Sequence, residues 1–363
     1  MHVLGSATAY RLYDVGYFID LEAVTPLLGD AAQGRSKPVR TEARAFLIPN
    51  PPLSLALGER TLIIAGAPRV VRLSARLFDF GVCSIRMTAS APGMLAWDEF
   101  TTFGTGFGAA PEVGETLRAE LDHLLDRIRP AIQRLAIAPV VEDYVVFRID
   151  AIAGVAPGSS PSALFGDEVL VRLLLGETRE LAPVARRELF AHRFSYYADD
   201  LTVLTWDNAL VVEPRPDDVD IEFVIEFANA QLLELRLYDA QLDAELPALY
   251  ERVAHRRRGP YLTRAFRPLL AQLQARLAEI TEIVERVDNA FKITDDVYVA
   301  RIYTSALELF RERTWRRGID RKLDILRETY AMLNDEAQGA RAEVLELIIV
   351  LLIAGEMIMG LLK

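Results

Sequence analysis

Apolar positions along the chain fall into two regimes. Up to about residue 213 they come in short β-branched and aromatic runs, Tyr10–Ile19, Thr61–Ala65, Val70–Thr88, Val140–Ile152 and Phe194–Val212, separated by turn residues. That is the pattern of strands. Among them, Glu115–Leu135 places Leu117, Leu121, Leu124, Leu125 and Ile128 at helical spacing with charge on the other side, which predicts a helix. Apolar runs flanking Trp206-Asp207-Asn208-Ala209 read as a hairpin. Arg11-Leu12-Tyr13-Asp14-Val15-Gly16 recurs as Arg76-Leu77-Phe78-Asp79-Phe80-Gly81. The echo is either a duplicated strand–turn unit or a chance likeness of two strand ends.

After Pro214-Arg215-Pro216 the period changes to that of helices. Asp217, Asp218 and Asp220 suit a helix N-terminus, and Ile221, Val224, Ile225, Ala228, Leu232 and Leu235 then share one face. This helix is expected to stop or kink by Pro247. Leu269, Leu273, Leu277, Ile280, Val284, Val287 and Phe291 follow at coiled-coil intervals. The longest seam is the last: Ile319, Leu323, Leu326, Tyr330, Leu333, Ala337, Ala340, Val344, Leu347, Leu351, Ala354, Ile358 and Leu361 alternate steps of four and three. One unbroken phase predicts one long helix with a helical partner, a second copy of the chain or, as the alternative, the Leu269–Phe291 helix of the same chain. Gly339 inside it costs about 1 kcal/mol relative to Ala.

Along this helix the other faces change character. From Val344 to Leu362 the only charged residues are Glu346 and Glu356, over a rise of about 28 Å. A helix apolar on all sides lies in a core or in lipid. The stretch is therefore expected to be a C-terminal membrane anchor, with Glu346 and Glu356 as intramembrane acids that face protein or water, or reach an interface.

The 363 residues suggest about two domains. Net charge is −11, so direct nucleic-acid binding through a basic body is not expected. Four lysines among 41 basic residues are a bias of a GC-rich genome rather than of mechanism. One cysteine, Cys83, excludes an internal disulfide framework. His2, His123, His192 and His255 are too scattered for a metal cluster. The N-terminus has neither the basic nor the apolar region of a signal peptide.

Asn289-Ala290-Phe291-Lys292-Ile293-Thr294-Asp295-Asp296-Val297-Tyr298, Trp315, Asp320-Arg321-Lys322-Leu323, Tyr330-Ala331-Met332-Leu333-Asn334-Asp335 and the run from Arg341 to Val350 together resemble the required-for-meiotic-nuclear-division family. That is a group of unassigned function in bacteria, fungi and mitochondria. The likeness begins near Phe194-Ser195-Tyr196-Tyr197 and covers the C-terminal half. It implies a membrane-anchored, oligomeric protein; the mitochondrial relatives sit on the inner membrane and support organellar translation. None of these motifs is catalytic in character.

The remaining motifs are weak. Gly104-Thr105-Gly106-Phe107-Gly108 has the wrong spacing for a dinucleotide turn and reads as a flexible loop before a helix. Asp295 and Asp296, or Thr294, suit a helix cap better than a metal site. Arg256-Arg257-Arg258 reads as a solvated turn rather than a lipid or RNA contact, and Arg316-Arg317 with Arg321-Lys322 lie about 30 Å before the apolar end. No nucleophile with a paired base stands out.

The expectation is an α+β protein: a mixed α/β domain over 1–213, a long-helix stalk over 217–343 and an anchor over 344–363. It is a non-enzymatic homo-oligomeric scaffold or tether at the inner membrane, with the bulk of the chain cytoplasmic, no cofactor or metal, and a protein or ribosome-associated partner. The alternative is a channel of magnesium-transporter architecture, whose Gly-Met-Asn signature and second membrane segment are missing here. A pore lined by Leu347, Leu351, Ala354 and Ile358 would dewet.

Overall fold

The computed structural model describes residues 1–29, 32–35, 46–47, 50–64, 66–156, 158–215, 219–256, 267–289, 292–293 and 297–361. They form an α+β protein that divides into two compact units. The first comprises Met1–Glu234 with Arg286–Arg313, the second Leu235–Glu285 with Thr314–Lys363. The division falls inside a helix, beyond the proline-rich break at 214–216 that the sequence marks.

The first unit is built on one large sheet. Its strands are β1 (His2–Asp14), β3 (Ala32–Arg35), β5 (Leu53–Ile64), β6 (Ala67–Leu77), β7 (Val82–Ser90), β8 (Leu95–Ala96), β10 (Val141–Ala153), β11 (Arg193–Phe194), β12 (Leu201–Leu204) and β13 (Asn208–Val212). The order is β11-β12-β13-β10-β1-β7-β6-β5-β3, with β8 on β1. Neighbours are antiparallel except β10 and β13, which run parallel. Short pairs join β2 (Phe18–Ile19) to β9 (Ile132–Gln133), and β4 (Phe46–Leu47) to β14 (Lys292–Ile293). The expected strands and the hairpin are all present.

Around the sheet lie α1 (Leu21–Leu28), α2 (Trp97–Gly108), α3 (Pro111–Ile128), α4 (Pro161–Leu164), α5 (Asp167–Leu175), α6 (Pro183–Leu189), the start of α7 (Asp220–Arg256) and α9 (Val297–Leu309). α3 buries Leu117, Leu121, Leu124, Leu125 and Ile128 as its pattern demands. It stops before Leu135 because Pro130 turns the chain into a short 3-10 segment. The glycine-rich motif is not a loop. Gly104, Thr105, Gly106, Phe107 and Gly108 all lie in α2. A Cβ on Gly104 would meet the Phe147 ring at 2.9 Å and Leu173 at 3.0 Å, so this glycine lets the helix lie close against β10.

The repeated hexapeptides end β1 and β6, which flank β7, and the turns that follow these two strands meet. The Val15 amide donates to the Gly81 carbonyl at 2.9 Å and that of Ile19 to Asp79 at 3.0 Å. Gly81 has φ +99°, and a Cβ there would overlap the Gly16 carbonyl oxygen. Both copies thus serve one junction.

The second unit contains the rest of α7, α8 (Arg267–Asn289, up to Glu285) and α10 (Glu312–Leu361, from Thr314). α7 runs through Pro247 without ending there. Lys322 of α10 reaches Asp239 and Asp243 of α7 at 2.6 and 2.7 Å, and Arg276 of α8 reaches Glu245 of α7 at 2.8 Å. The 50 residues of α10 form the single long helix expected.

The close approach at Gly104 predicts that Gly104→Val destabilises the protein by about 1–3 kcal/mol through overpacking. Gly108→Ala, whose Cβ would lie 3.8 Å from Val145, should be tolerated. Urea denaturation of the two variants checks this, and equal midpoints would refute the packing role.

Candidate functional site

Strand alternation gives the sheet two unlike faces. On β1, Val3, Ala7 and Ala9 join the hydrophobic core with Ala75, Ile85, Met87, Phe147 and Ile149. The alternate residues Thr8, Tyr10, Leu12 and Asp14 project to the other side. Register places Tyr10 opposite Arg86 and Tyr144, and Ser84 opposite both Leu12 and Arg76. The Thr8 and Thr88 hydroxyls are 2.9 Å apart, and Arg86 donates to the Ser74 hydroxyl at 3.1 Å. This second face is polar, arginine-bearing and buried.

α7 supplies its counter-charges. Glu222 and Glu226 are one turn apart and face the sheet together. Glu226 is fully buried and binds Arg76, with Arg86 at 3.6 Å. Glu222 takes Arg148 at 2.7 Å. Arg148 also pairs with Asp150 at 2.8 Å and donates to the carbonyls of Glu213 and Arg215 at 3.3 and 2.7 Å. Phe223 lies under the Arg76 guanidinium at 4.7 Å, and Phe227 packs edge-on against Phe78 at 5.3 Å. Burial lowers Arg76 to about 10, against the pull of Glu226. Burial, with Glu226 adding, pushes the Tyr10 hydroxyl and the Cys83 thiol up. Cys83 is therefore a buried neutral thiol, not an activated nucleophile.

At the end of this face Asp14 accepts the Gly16 amide and is hydrogen-bonded to Glu234, whose side chain is also buried. Burial raises Asp14 to about 7, with these hydrogen bonds opposing.

On the apolar side of the sheet an open cleft of about 1710 Å³ runs between α2–α3 and α5–α6. Its floor includes Ala9, Val145 and Phe147, and its rim carries Arg11, Arg118, Glu115, Asp143, Glu188 and the turn Trp206–Asn208. Gly104 and Gly108 border it, which is where the glycine-rich motif enters the site. The motif contributes small surface to a cleft, with no phosphate-binding loop.

The seam residues separate into two groups. Ile319, Leu323, Leu326 and Leu333 are buried within the single chain, and Tyr330 is half-buried. A second copy is not needed to cover them; the intrachain ion pairs place α7 against this stretch. Leu351, Ala354 and Ile358 are exposed, as are Glu346 and Glu356. The side chains of Val344 and Leu347 lie outside the described residues, as do Thr294, Asp295, Asp296, Arg257 and Arg258. Among the described residues no helix is long and apolar enough to cross a membrane. The spanning segment expected at 344–363 is thus not found among them. Nor do those residues bring three potential metal ligands together.

The polar sheet face escaped the sequence pattern. Its signal was present: Arg76, Arg86 and Arg148 inside strands, and Glu222 and Glu226 within an otherwise apolar stretch of helix.

Residues 4–218 match the family model described as "Uncharacterized protein MJ0711, N-terminal domain". A relative from Methanocaldococcus jannaschii, described as "Uncharacterized protein MJ0711", is 24% identical over 195 residues, 54% of this chain and 59% of the relative. The chain thus matches less than two thirds of that relative's length. No solved structure matches.

Two predictions follow from the buried charges. Glu226→Gln should cost about 3–5 kcal/mol by leaving Arg76 buried without its anion, and Arg76→Met combined with Glu226→Leu should recover part of it, Arg86 still lacking its carboxylate. A denaturant series on the three proteins checks this; a double variant no better than the single would refute it. Asp14 holds its proton more tightly folded than unfolded, so stability is full below the unfolded value near 3.8 and falls as pH rises toward about 7. Denaturation midpoints at about pH 5 and about pH 8 should show the drop in the parent and lose it in Asp14→Asn. Parallel profiles would exclude Asp14 as the source.

Proposed function

The chain belongs to the MJ0711 N-terminal domain family, and from the residues beyond that domain we propose that it is a non-enzymatic membrane tether. The apolar end of α10 inserts into lipid at the inner membrane and holds the α/β unit at the cytoplasmic surface. One observation carries this reading: Ile348, Ile349, Val350, Leu351, Leu352 and Ile353 are all exposed, each at 49% or more. Six consecutive helical residues point in every direction around the axis. A single partner helix covers one stripe of them, whereas lipid covers all.

Two further points support the tether. The resemblance of the C-terminal half to the required-for-meiotic-nuclear-division family implies a membrane-anchored oligomer, and the matched model ends at residue 218, before most of those residues. Self-association, in this proposal, runs through Leu351, Ala354 and Ile358, the exposed continuation of the seam. A scaffold also suits a site whose buried charges neutralise one another and whose cysteine is held as a thiol. A pore lined by those three apolar residues would dewet, so the tether is favoured over a channel.

Deleting Val344–Lys363 should move the protein from a carbonate-resistant membrane fraction into the soluble fraction. A full chain that is already soluble, or a truncated chain that still resists carbonate, would refute the anchor.

A further inference from the structure

The cleft between α2–α3 and α5–α6 has a size and a charge that the tether reading leaves unused. Its volume of about 1710 Å³ exceeds the roughly 300–1,000 Å³ of small-ligand pockets. It is open, as a groove for an extended chain must be. The floor of Ala9, Val145 and Phe147 is apolar, and Leu189 and Trp206 stand on the rim, 44% and 42% exposed.

The charge is one-sided. Five carboxylates line the cleft: Glu115, Asp122, Asp143, Glu188 and Asp207. The two arginines are already engaged, Arg11 with Asp143 at 3.5 Å and Arg118 with Asp122 at 3.3 Å. Among the described residues Glu115, Glu188 and Asp207 have no cationic partner. On the opposite face of the sheet the buried acids Glu222 and Glu226 are each matched by an arginine. Asp207 shows the cost of the mismatch: partial burial and the neighbouring Asp143 both raise its pKa. An unmatched acid held beside another acid in a cleft is a group awaiting a cation.

We propose that this cleft receives a basic polypeptide segment of a partner protein, with its arginines or lysines on Glu115, Glu188 and Asp207 and its apolar residues on the exposed Leu189 and Trp206. A polyamine would satisfy the acids but leave the apolar floor and rim unused. A nucleic acid would meet like charge along the rim.

The test uses the full-length protein and a fluorescein-labelled peptide of alternating Arg and Leu, followed by fluorescence anisotropy. The parent should bind it, and the exposed pair Glu188→Gln with Asp207→Asn should weaken binding about tenfold, equivalent to about 1.4 kcal/mol. Leu189→Lys should weaken it as well, through lost apolar contact and added like charge. Glu22→Gln with Glu59→Gln removes the same charge outside the cleft and should leave binding unchanged. Unaltered melting curves exclude loss of fold in each variant. Equal losses from the two acid pairs would reduce the effect to general attraction by a chain of net charge −11 and overturn the proposal. So would failure of the parent to bind, or competition by spermine as effective as that of unlabelled peptide.

Discussion

Three arginines on one face of a central sheet, Arg76, Arg86 and Arg148, can be buried only if each finds an anion. The first unit is arranged around that constraint. Desolvating a guanidinium costs several kcal/mol, and the cost is recovered only through close carboxylates and further hydrogen bonds. α7 brings Glu222 and Glu226 with the spacing of one helical turn, Glu226 to Arg76 and Arg86 and Glu222 to Arg148. Apolar residues of similar volume could hold helix and sheet together equally well, so net stability is a poor account of the ionic pairs. Register is a better one. Sliding α7 by one turn would keep apolar residues against the sheet but would carry one glutamate to the other's arginines and the second past them, stranding charges at both ends. A purely hydrophobic face would discriminate between those positions far less.

The opposite face solves a different problem. There the sheet is apolar and α2 must come close to it, so the device is the absence of a side chain. Gly104 leaves room for the Phe147 ring and Leu173. The sequence advertises this motif loudly, yet its spacing suggested a loop because glycine is a poor helix former in isolation. Burial against β10 overrides that propensity. The apolar strands, the α3 stripe and the Trp206 hairpin were legible because period and turn chemistry are local. The ion pairs were not, since Arg76 and Glu226 meet across 150 residues of chain and no local period records such a pairing.

The same distinction explains α10. A heptad phase states that a seam wants a partner without saying from which chain. From Ile319 to Leu333 the partner is intramolecular, where Lys322 clasps Asp239 and Asp243 beside the buried Leu323 and Leu326. Beyond it the phase continues, but Leu351 and Ile358 are exposed together with Ile348, Ile349, Val350, Leu352, Ile353, Met357 and Met359. An interface with one helix would need one stripe. An apolar surface on all sides cannot be covered by one helix, and that difference separates the two halves of a helix whose seam pattern is uniform.

Net charge carries a similar lesson. An excess of eleven acids is commonly a diffuse property that favours solubility. Here its distribution is uneven in an informative way. The carboxylates that burial makes expensive, Glu222 and Glu226, are matched by arginines, Glu222 by Arg148 at 2.7 Å and Glu226 by Arg76 and Arg86. Asp207 is partly withdrawn from water as well, yet it faces Asp143, another acid. A chain that matches Glu222 and Glu226 with arginines but leaves Asp207 against a like charge, over an apolar floor, is electrostatically incomplete at that cleft. The missing cation is the property by which an occupant would be recognised.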